Sequence, residues 1–401
     1  MRFPRSAAAA ALAAAATLTT GLLSTPTAQA DQNTLPRTDF YDSPSPLPWA
    51  PAGTLIRAEP TGDYQVAGRH IPATRMLYHS RTSRGRDVAV SGVVLVPAGK
   101  PPEGGWPVVV DAHGTSGIAR PCAPSLMRDL YHGNQMTRFL DAGYAVVAPD
   151  YAGLGTTGRP EFLNKTAEAE DVVSALRSAR QARPALSGRW VTWGHSQGGG
   201  AALGVAENQR RDPQAGYLGA VVTSPAADLT AIVSRLATLP GLGGFVPLVV
   251  QGAAYSDPRI HPDELLAPPA VARLNLARTG CLDEVMAGYS DLSGSDLVRP
   301  GYLADPQLAR YLERNTTGRR PVGGPVLLVQ GEADSVVPEA ATDQVAAQLC
   351  HAGSRVDYRT YPGLAHDTYP GQAVGIDDGA MDDILAWTAD RFAGRPAGST
   401  C

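Results

Sequence analysis

Charge of either sign is scarce, cysteine is rare, and past the first thirty residues no long apolar run appears. The formal charge is only −4 with no strong basic run, which removes nucleic acid as an expected partner. Without a second long apolar stretch, no later segment is expected to cross a bilayer. The four cysteines, Cys122, Cys281, Cys350 and Cys401, show no CxxC spacing that would mark a zinc site. None of them sits in a hydrolase-like motif, so a thiol nucleophile is not expected either. What is present is enough apolar material (43% of 401 residues) for a sizeable core in one large or two medium domains. The 43 glycines and 34 prolines predict a fold punctuated by many turns.

Residues 1–30 read as a signal peptide. Arg2 and Arg5 supply a positive start, residues 7–23 an alanine-rich apolar stretch, and Ala28-Gln29-Ala30 the small residues of a cleavage site. A membrane anchor would call for a longer stretch and a more apolar residue than alanine. The mature chain is expected to begin at Asp31, soluble and exported. In that oxidising setting four cysteines read as two disulfides, with three possible connectivities.

Residues 31–58, rich in Pro and Ser, are expected to form a lead-in arm over the surface. Residues 88–96 alternate like a strand. Short apolar, largely β-branched runs follow at 108–111, 145–148, 190–193, 220–223 and 326–329, the pattern of parallel strands buried on both faces. Helical spacing occupies 168–180, 197–210, 338–349 and 383–392 between and after them. This alternation predicts an α/β fold, a mostly parallel central sheet flanked by helices, built from 59–224 and 325–401. Residues 225–324 interrupt it with no strand, many Pro and Gly, and several short apolar helical pieces. They are expected to form an inserted helical cap, since a structureless loop of that length would be unusual. Its most apolar part, 239–250, would either wall a greasy substrate or simply pack the cap on the body.

The sharpest motif is Gly194-His195-Ser196-Gln197-Gly198, between the strand-like 189–193 and an alanine-rich helix. This is the context of a nucleophile elbow, in which serine occupies a strained strand-to-helix turn and small neighbours prevent clashes. A serine hydroxyl needs a base, and in this arrangement the acid and then the histidine should follow it in sequence. His366 leaves the strand-like 355–360 on a loop and is the expected base. His351, at a helix end beside Cys350, and His195, next to the nucleophile, are expected to be structural. Asp334, on the loop after 326–330, is the expected acid, with Glu332 its rival. Asp367 reads as a surface neighbour. The oxyanion would be held by the backbone N–H of Gln197 and by Thr115, in the His113-Gly114-Thr115 stretch after 108–111, with His113 itself structural.

Two other signals lead elsewhere. Gly153-Leu154-Gly155-Thr156-Thr157-Gly158 formally matches a dinucleotide fingerprint, but Arg159-Pro160 follow where an apolar helix should open. It reads better as a loop bordering the cleft, and no cofactor is expected. Asp377, Asp378, Asp382 and Asp383 lack calcium-loop spacing and read as an acidic helix start, so no metal is expected there.

Together these residues resemble the secretory lipase family of the α/β-hydrolases, in its bacterial branch and similar to the yeast lipase A group. The resemblance rests on Asp39-Phe40-Tyr41, Pro51-Ala52-Gly53-Thr54, His113-Gly114-Thr115 and Cys122-Ala123-Pro124-Ser125. It continues through Pro149-Asp150-Tyr151-Ala152-Gly153-Leu154-Gly155, the elbow, and Gly331-Glu332-Ala333-Asp334. It implies hydrolysis of carboxylic esters, acylglycerols included, through an acyl-enzyme under a helical cap, with transient contact to a lipid interface. It also implies the pairing Cys122–Cys281, tying cap to body, and Cys350–Cys401, pinning the C-terminal tail. In this family the second oxyanion donor varies and can be a side chain, so Thr115 is carried less directly than Gln197. A secreted serine peptidase on this fold would need an acidic pair in the cap, for which Asp283-Glu284 or Asp263-Glu264 could serve. An acyltransferase and a catalytically silent binding protein are the remaining readings.

Overall fold

The computed structural model describes residues 33–368 and 373–401; the expected signal peptide lies outside the described residues. Nine strands form one sheet in the order β1-β2-β3-β5-β4-β6-β7-β8-β9. They are β1 Leu55–Val66, β2 Arg69–Arg81, β3 Asp87–Leu95, β4 Trp106–Ala112, β5 Ala145–Pro149, β6 Leu186–His195, β7 Tyr217–Thr223, β8 Val326–Gly331 and β9 Val356–Tyr361. From β5 to β9 every pairing is parallel, while β1, β2 and β3 join as an antiparallel meander on one edge. The parallel strands at the centre are the continuous apolar runs of the sequence. Val108–Val110, Val146–Val147 and Val221–Val222 are buried completely because helices cover both faces.

The body helices are α1 Gly133–Asp141, α2 Lys165–Ala182 and α3 Gln197–Gln209. Asn164 caps α2, its side chain accepting from the N–H groups of Thr166 and Ala167. Between β7 and β8 the described chain holds no strand. Seven α-helices and two short 3-10 turns fill this stretch, the α-helices being α4 Leu229–Leu236, α5 Phe245–Ser256, α6 Pro262–Leu265, α7 Pro268–Val271, α8 Leu274–Thr279, α9 Leu282–Tyr289 and α10 Pro306–Asn315. They share an apolar cluster with Ile118, Phe162, Leu163 and Val337 of the body. After β8 come α11 Glu339–His351, α12 Ile376–Gly379 and α13 Met381–Phe392. The disulfides are Cys122–Cys281 and Cys350–Cys401, with no free cysteine. No described helix is long and apolar enough to cross a membrane.

The stretch expected to be a surface arm is largely exposed or half-buried, and is anchored on the body at particular residues. Phe40 and Tyr41 are buried, and β1 already begins at Leu55. The Tyr41 hydroxyl donates to Ser125 O at 2.9 Å, as does that of Tyr64. Gly53 is held from both sides, its N–H donating to His79 O and its carbonyl accepting from Gln181 Nε2. Both ends of this stretch therefore dock on the body through specific hydrogen bonds.

Candidate active site

The elbow follows directly from the strand order. β6 is central, and at its carboxyl end the chain must turn at once into α3, which packs back on the sheet. Ser196 takes φ +56° and ψ −117° to do so, a strained conformation for a non-glycine residue. The turn is locked by its backbone: Ser196 N–H donates to Thr223 O, and Ser196 O accepts from Gly200 and Ala226. Glycine is required around it. A Cβ on Gly198 would lie 1.7 Å from Ala112 O, and one on Gly194 would lie 2.1 Å from Gly198 O.

His366 and Asp334 come to Ser196 from loops after β9 and β8. His366 Nε2 lies 2.9 Å from Ser196 Oγ, and its Nδ1 lies 2.7 Å from Asp334 Oδ2. With Nδ1–H donating a hydrogen bond to Asp334 Oδ2, Nε2 is left to accept from the serine hydroxyl, the tautomer a general base needs. Burial pushes the Asp334 carboxyl up, but the hydrogen bond and charge of His366 and the Val337 N–H outweigh it and leave it below the ordinary value. Burial likewise pulls the His366 imidazole down, and Asp334 more than reverses this, so it ends above its ordinary value. The rival Glu332 faces away, accepting from Thr360 Oγ1 at 3.1 Å. His351 is exposed at the end of α11.

Sequence reasoning missed the groups that hold the acid. Asp334 Oδ1 accepts from the N–H groups of Val336 and Val337, at 2.9 and 2.8 Å. Gln330, buried at the end of β8, donates to Asp334 Oδ2 at 3.2 Å and is itself fixed by Thr342. A glutamine ending an otherwise apolar strand four residues before the acid was the available signal.

On the side expected to hold the oxyanion, Gln197 follows Ser196 at the start of α3, where free N–H groups and the helix dipole favour negative charge. The predicted partner stretch runs beside it: the Cβ position of Gly198 is 2.7 Å from His113 O, and that of Gly114 is 3.6 Å from His195 O. Thr115 is buried, its carbonyl accepting from the Tyr131 hydroxyl at 2.8 Å. His113 is enclosed between Gly114 O and Asp150 O, and burial holds its imidazole down to about 4, so it stays neutral.

A cavity of about 440 Å³ opens beside Gln197, lined among others by Tyr151, Leu154, Phe162, Glu168 and Tyr255. The Gly153–Gly158 loop borders it. Residues 239–250, one expected wall, do not line it: Val246 and Leu248–Val250 are buried in the apolar cluster of the inserted helices, and the same helix α5 reaches the cavity only through Ala254 and Tyr255. Glu168 sits at the inner end. Its Oε1 accepts from Gln197 Nε2 at 2.7 Å and from Leu163 N–H at 2.8 Å, and burial pushes its carboxyl up to about 8.

Known proteins resemble the chain in sequence and in fold. The profile of the secretory lipase family matches residues 131–400. Among curated relatives, the chain is 26% identical to a probable inactive lipase of Mycobacterium tuberculosis, over 90% of this chain and 83% of that one. It is 25% identical to Lipase 5 of Candida albicans, over 92% and 83%. Among solved structures, lipase A of Candida antarctica in its closed state superposes with a TM-score of 0.78 at 18% identity, covering 92% of this chain and 89% of that one.

Proposed function

Because the chain belongs to the secretory lipase family of α/β-hydrolases, we propose that it is an active, exported carboxylic-ester hydrolase that works through an acyl-enzyme on Ser196. The observation that carries the proposal is the unbroken relay Ser196 Oγ, His366 Nε2, His366 Nδ1, Asp334 Oδ2, at 2.9 and 2.7 Å. A name of "probable inactive" on one relative raises the silent alternative, and the completeness of this relay is what speaks for activity here.

In this reading His366 takes the serine proton as Ser196 attacks the ester carbonyl, and Asp334 stabilises the imidazolium without accepting the proton. The N–H of Gln197 and a donor from the Thr115 stretch hold the oxyanion, each worth about 3 kcal/mol of transition-state stabilisation. His366 returns the proton to the leaving alcohol, and a water activated by the same histidine releases the acid. The helices of 225–324 act as a cap, and the cavity beside Gln197 takes an apolar group of the substrate. Cleavage after Ala30 and the two disulfides fit work in an oxidising exterior.

The test is hydrolysis of p-nitrophenyl esters of short to long acyl chains, a triglyceride emulsion and an aminoacyl anilide, with Ser196→Ala in parallel. Ester turnover lost in the variant is expected. Equal turnover by wild type and variant would sink the assignment, and anilide turnover above ester turnover would move it to a peptidase.

A further inference from the structure

Three side chains with no part in the relay meet in the core beside His366. His132 precedes α1, His195 is the last residue of β6, and Asp377 lies in α12. All three are buried, at 4%, 2% and 7% exposure. One ring nitrogen from each histidine and one oxygen of Asp377 lie within 4.8 Å of one another. The His195 ring stands 4.6 Å from that of His366, centroid to centroid.

Two details set this cluster apart from ordinary packing. His132 Nδ1 lies 3.0 Å from Asp111 Oδ1, at the end of β4. A carboxylate that accepts a hydrogen bond from Nδ1–H holds the proton there and leaves the Nε2 lone pair free, as outer carboxylates do for histidines that bind metals. Second, His195 Nε2 is buried and has no hydrogen-bond partner. Such a nitrogen loses its hydration on folding and regains nothing, unless something else binds it.

We propose that His132, His195 and Asp377 bind one zinc ion, with Asp111 orienting His132. Two imidazoles and a carboxylate are a donor set that zinc accepts, and zinc needs no redox chemistry to remain in an oxidising exterior. Bonds of 2.0–2.2 Å place tetrahedral donors roughly 3.3 Å apart, so the set closes by at most about 1.5 Å on binding. Asp377 can supply that movement, since it sits in the first turn of a four-residue helix. The consequence is mechanical. Residues near Asp377 are bonded to the His366 loop, through Ala365 N–H to Val374 O and Ile376 N–H to Ala365 O. His195 precedes Ser196. One ion would thus fasten the loop that carries the base to the strand that carries the nucleophile. Spacings of 63 and 182 residues between the donors hide such a site from motif reading.

The experiment uses the untagged full chain, stripped with EDTA and dialysed, then titrated with zinc chloride and, separately, cobalt(II). Binding is read by elemental analysis, thermal unfolding and the visible spectrum, all independent of ester hydrolysis. One zinc per chain, a melting temperature raised by several degrees, and intense visible cobalt bands typical of four-coordination are expected. His132→Gln and Asp377→Asn should each weaken zinc at least about tenfold, and Asp111→Asn by about ten- to a hundredfold through the orientation of His132. Absence of zinc, of the thermal shift and of the cobalt bands in the wild-type chain would overturn the proposal. So would binding that survives unchanged in both ligand variants. Should the variants fail to fold, the wild-type cobalt spectrum decides.

Discussion

Glu168→Gln isolates a strongly perturbed carboxyl beside the Ser196–Gln197 turn. Burial pushes Glu168 up to about 8, against an ordinary value of 4.5. Between those limits the unfolded chain gives up the proton and the folded chain keeps it. The folded state therefore binds more protons, and its stability must fall as pH rises through this window, by up to about 1.4 kcal/mol per unit from this one group. Between pH 5 and 7 that amounts to about 3 kcal/mol. Glutamine has nearly the same shape, and its carbonyl oxygen can still accept from Leu163 N–H and from Gln197 Nε2. Asp171 and Asp150, raised by burial to about 7 and about 6, push stability in the same direction in both proteins; Asp150 drops out of the difference, while the charge of Asp171, which helps to raise Glu168, adds to it in the same sense. Urea unfolding of wild type and Glu168→Gln at pH 5, 6, 7 and 8 measures that difference directly. The variant's advantage should grow steadily with pH. A difference that stays flat from pH 5 to 8, or that grows toward acid, would refute the reasoning and mean that Glu168 is ionised in the fold.

Asp334→Asn keeps the shape of the acid but removes its charge and favours the wrong tautomer of His366; kcat for a p-nitrophenyl ester should fall roughly 10⁴-fold with KM little changed. Gly198→Ala places a methyl 1.7 Å from Ala112 O, against backbone that cannot yield, and should cost at least about 3 kcal/mol in denaturant unfolding or prevent soluble expression. Removing Cys122–Cys281 by double serine replacement should cost about 5 kcal/mol, against about 4 for Cys350–Cys401, because the bonds span 159 and 51 residues; unfolding of the two variants side by side checks the order.

The parallel strands could be read from sequence because strands covered on both faces have little choice but to be apolar. The same logic explains the two that escaped reading. β1 carries Pro60, Thr61, Gly62 and Asp63, turn-forming residues tolerated because it is an edge strand with one partner. β2 includes Arg75, His79 and Ser80, all buried, so no apolar alternation marks it. Arg75 is tolerated inside because Glu59 and Asp63 of β1 pair with it, and His79 because Asp87 faces it, partners that only the folded register brings near. At the site, Ser196, Asp334 and His366 stood out because a backbone turn and a chain order announce them. The supports of Asp334 and the His132–His195–Asp377 cluster have neither, and depend on loops meeting in space.

The short motifs around Asp150 also find their reason in one group. Its carboxylate accepts from Ser91 Oγ at 2.6 Å and from Ser125 N–H at 2.8 Å. Ser125 in turn receives the Tyr41 hydroxyl, so three of the short motifs, far apart in the chain, converge on one buried carboxyl. Each alone is unremarkable in the sequence, and their purpose emerges only as a set.

The Cys122–Cys281 bond also constrains how the inserted helices can move. They leave the sheet at β7 and return at β8, two adjacent strands, and with only those attachments the insertion could swing like a door on its jamb. Cys281 fastens it a third time, next to Gly117 beyond β4, about two strand widths or roughly 10 Å to the side. A door bolted on its free side does not turn. Passage to Ser196 must then come from bending within the panel, or from the loops at its rim that border the cavity, and the size of the molecules admitted is set by how far those short segments can part.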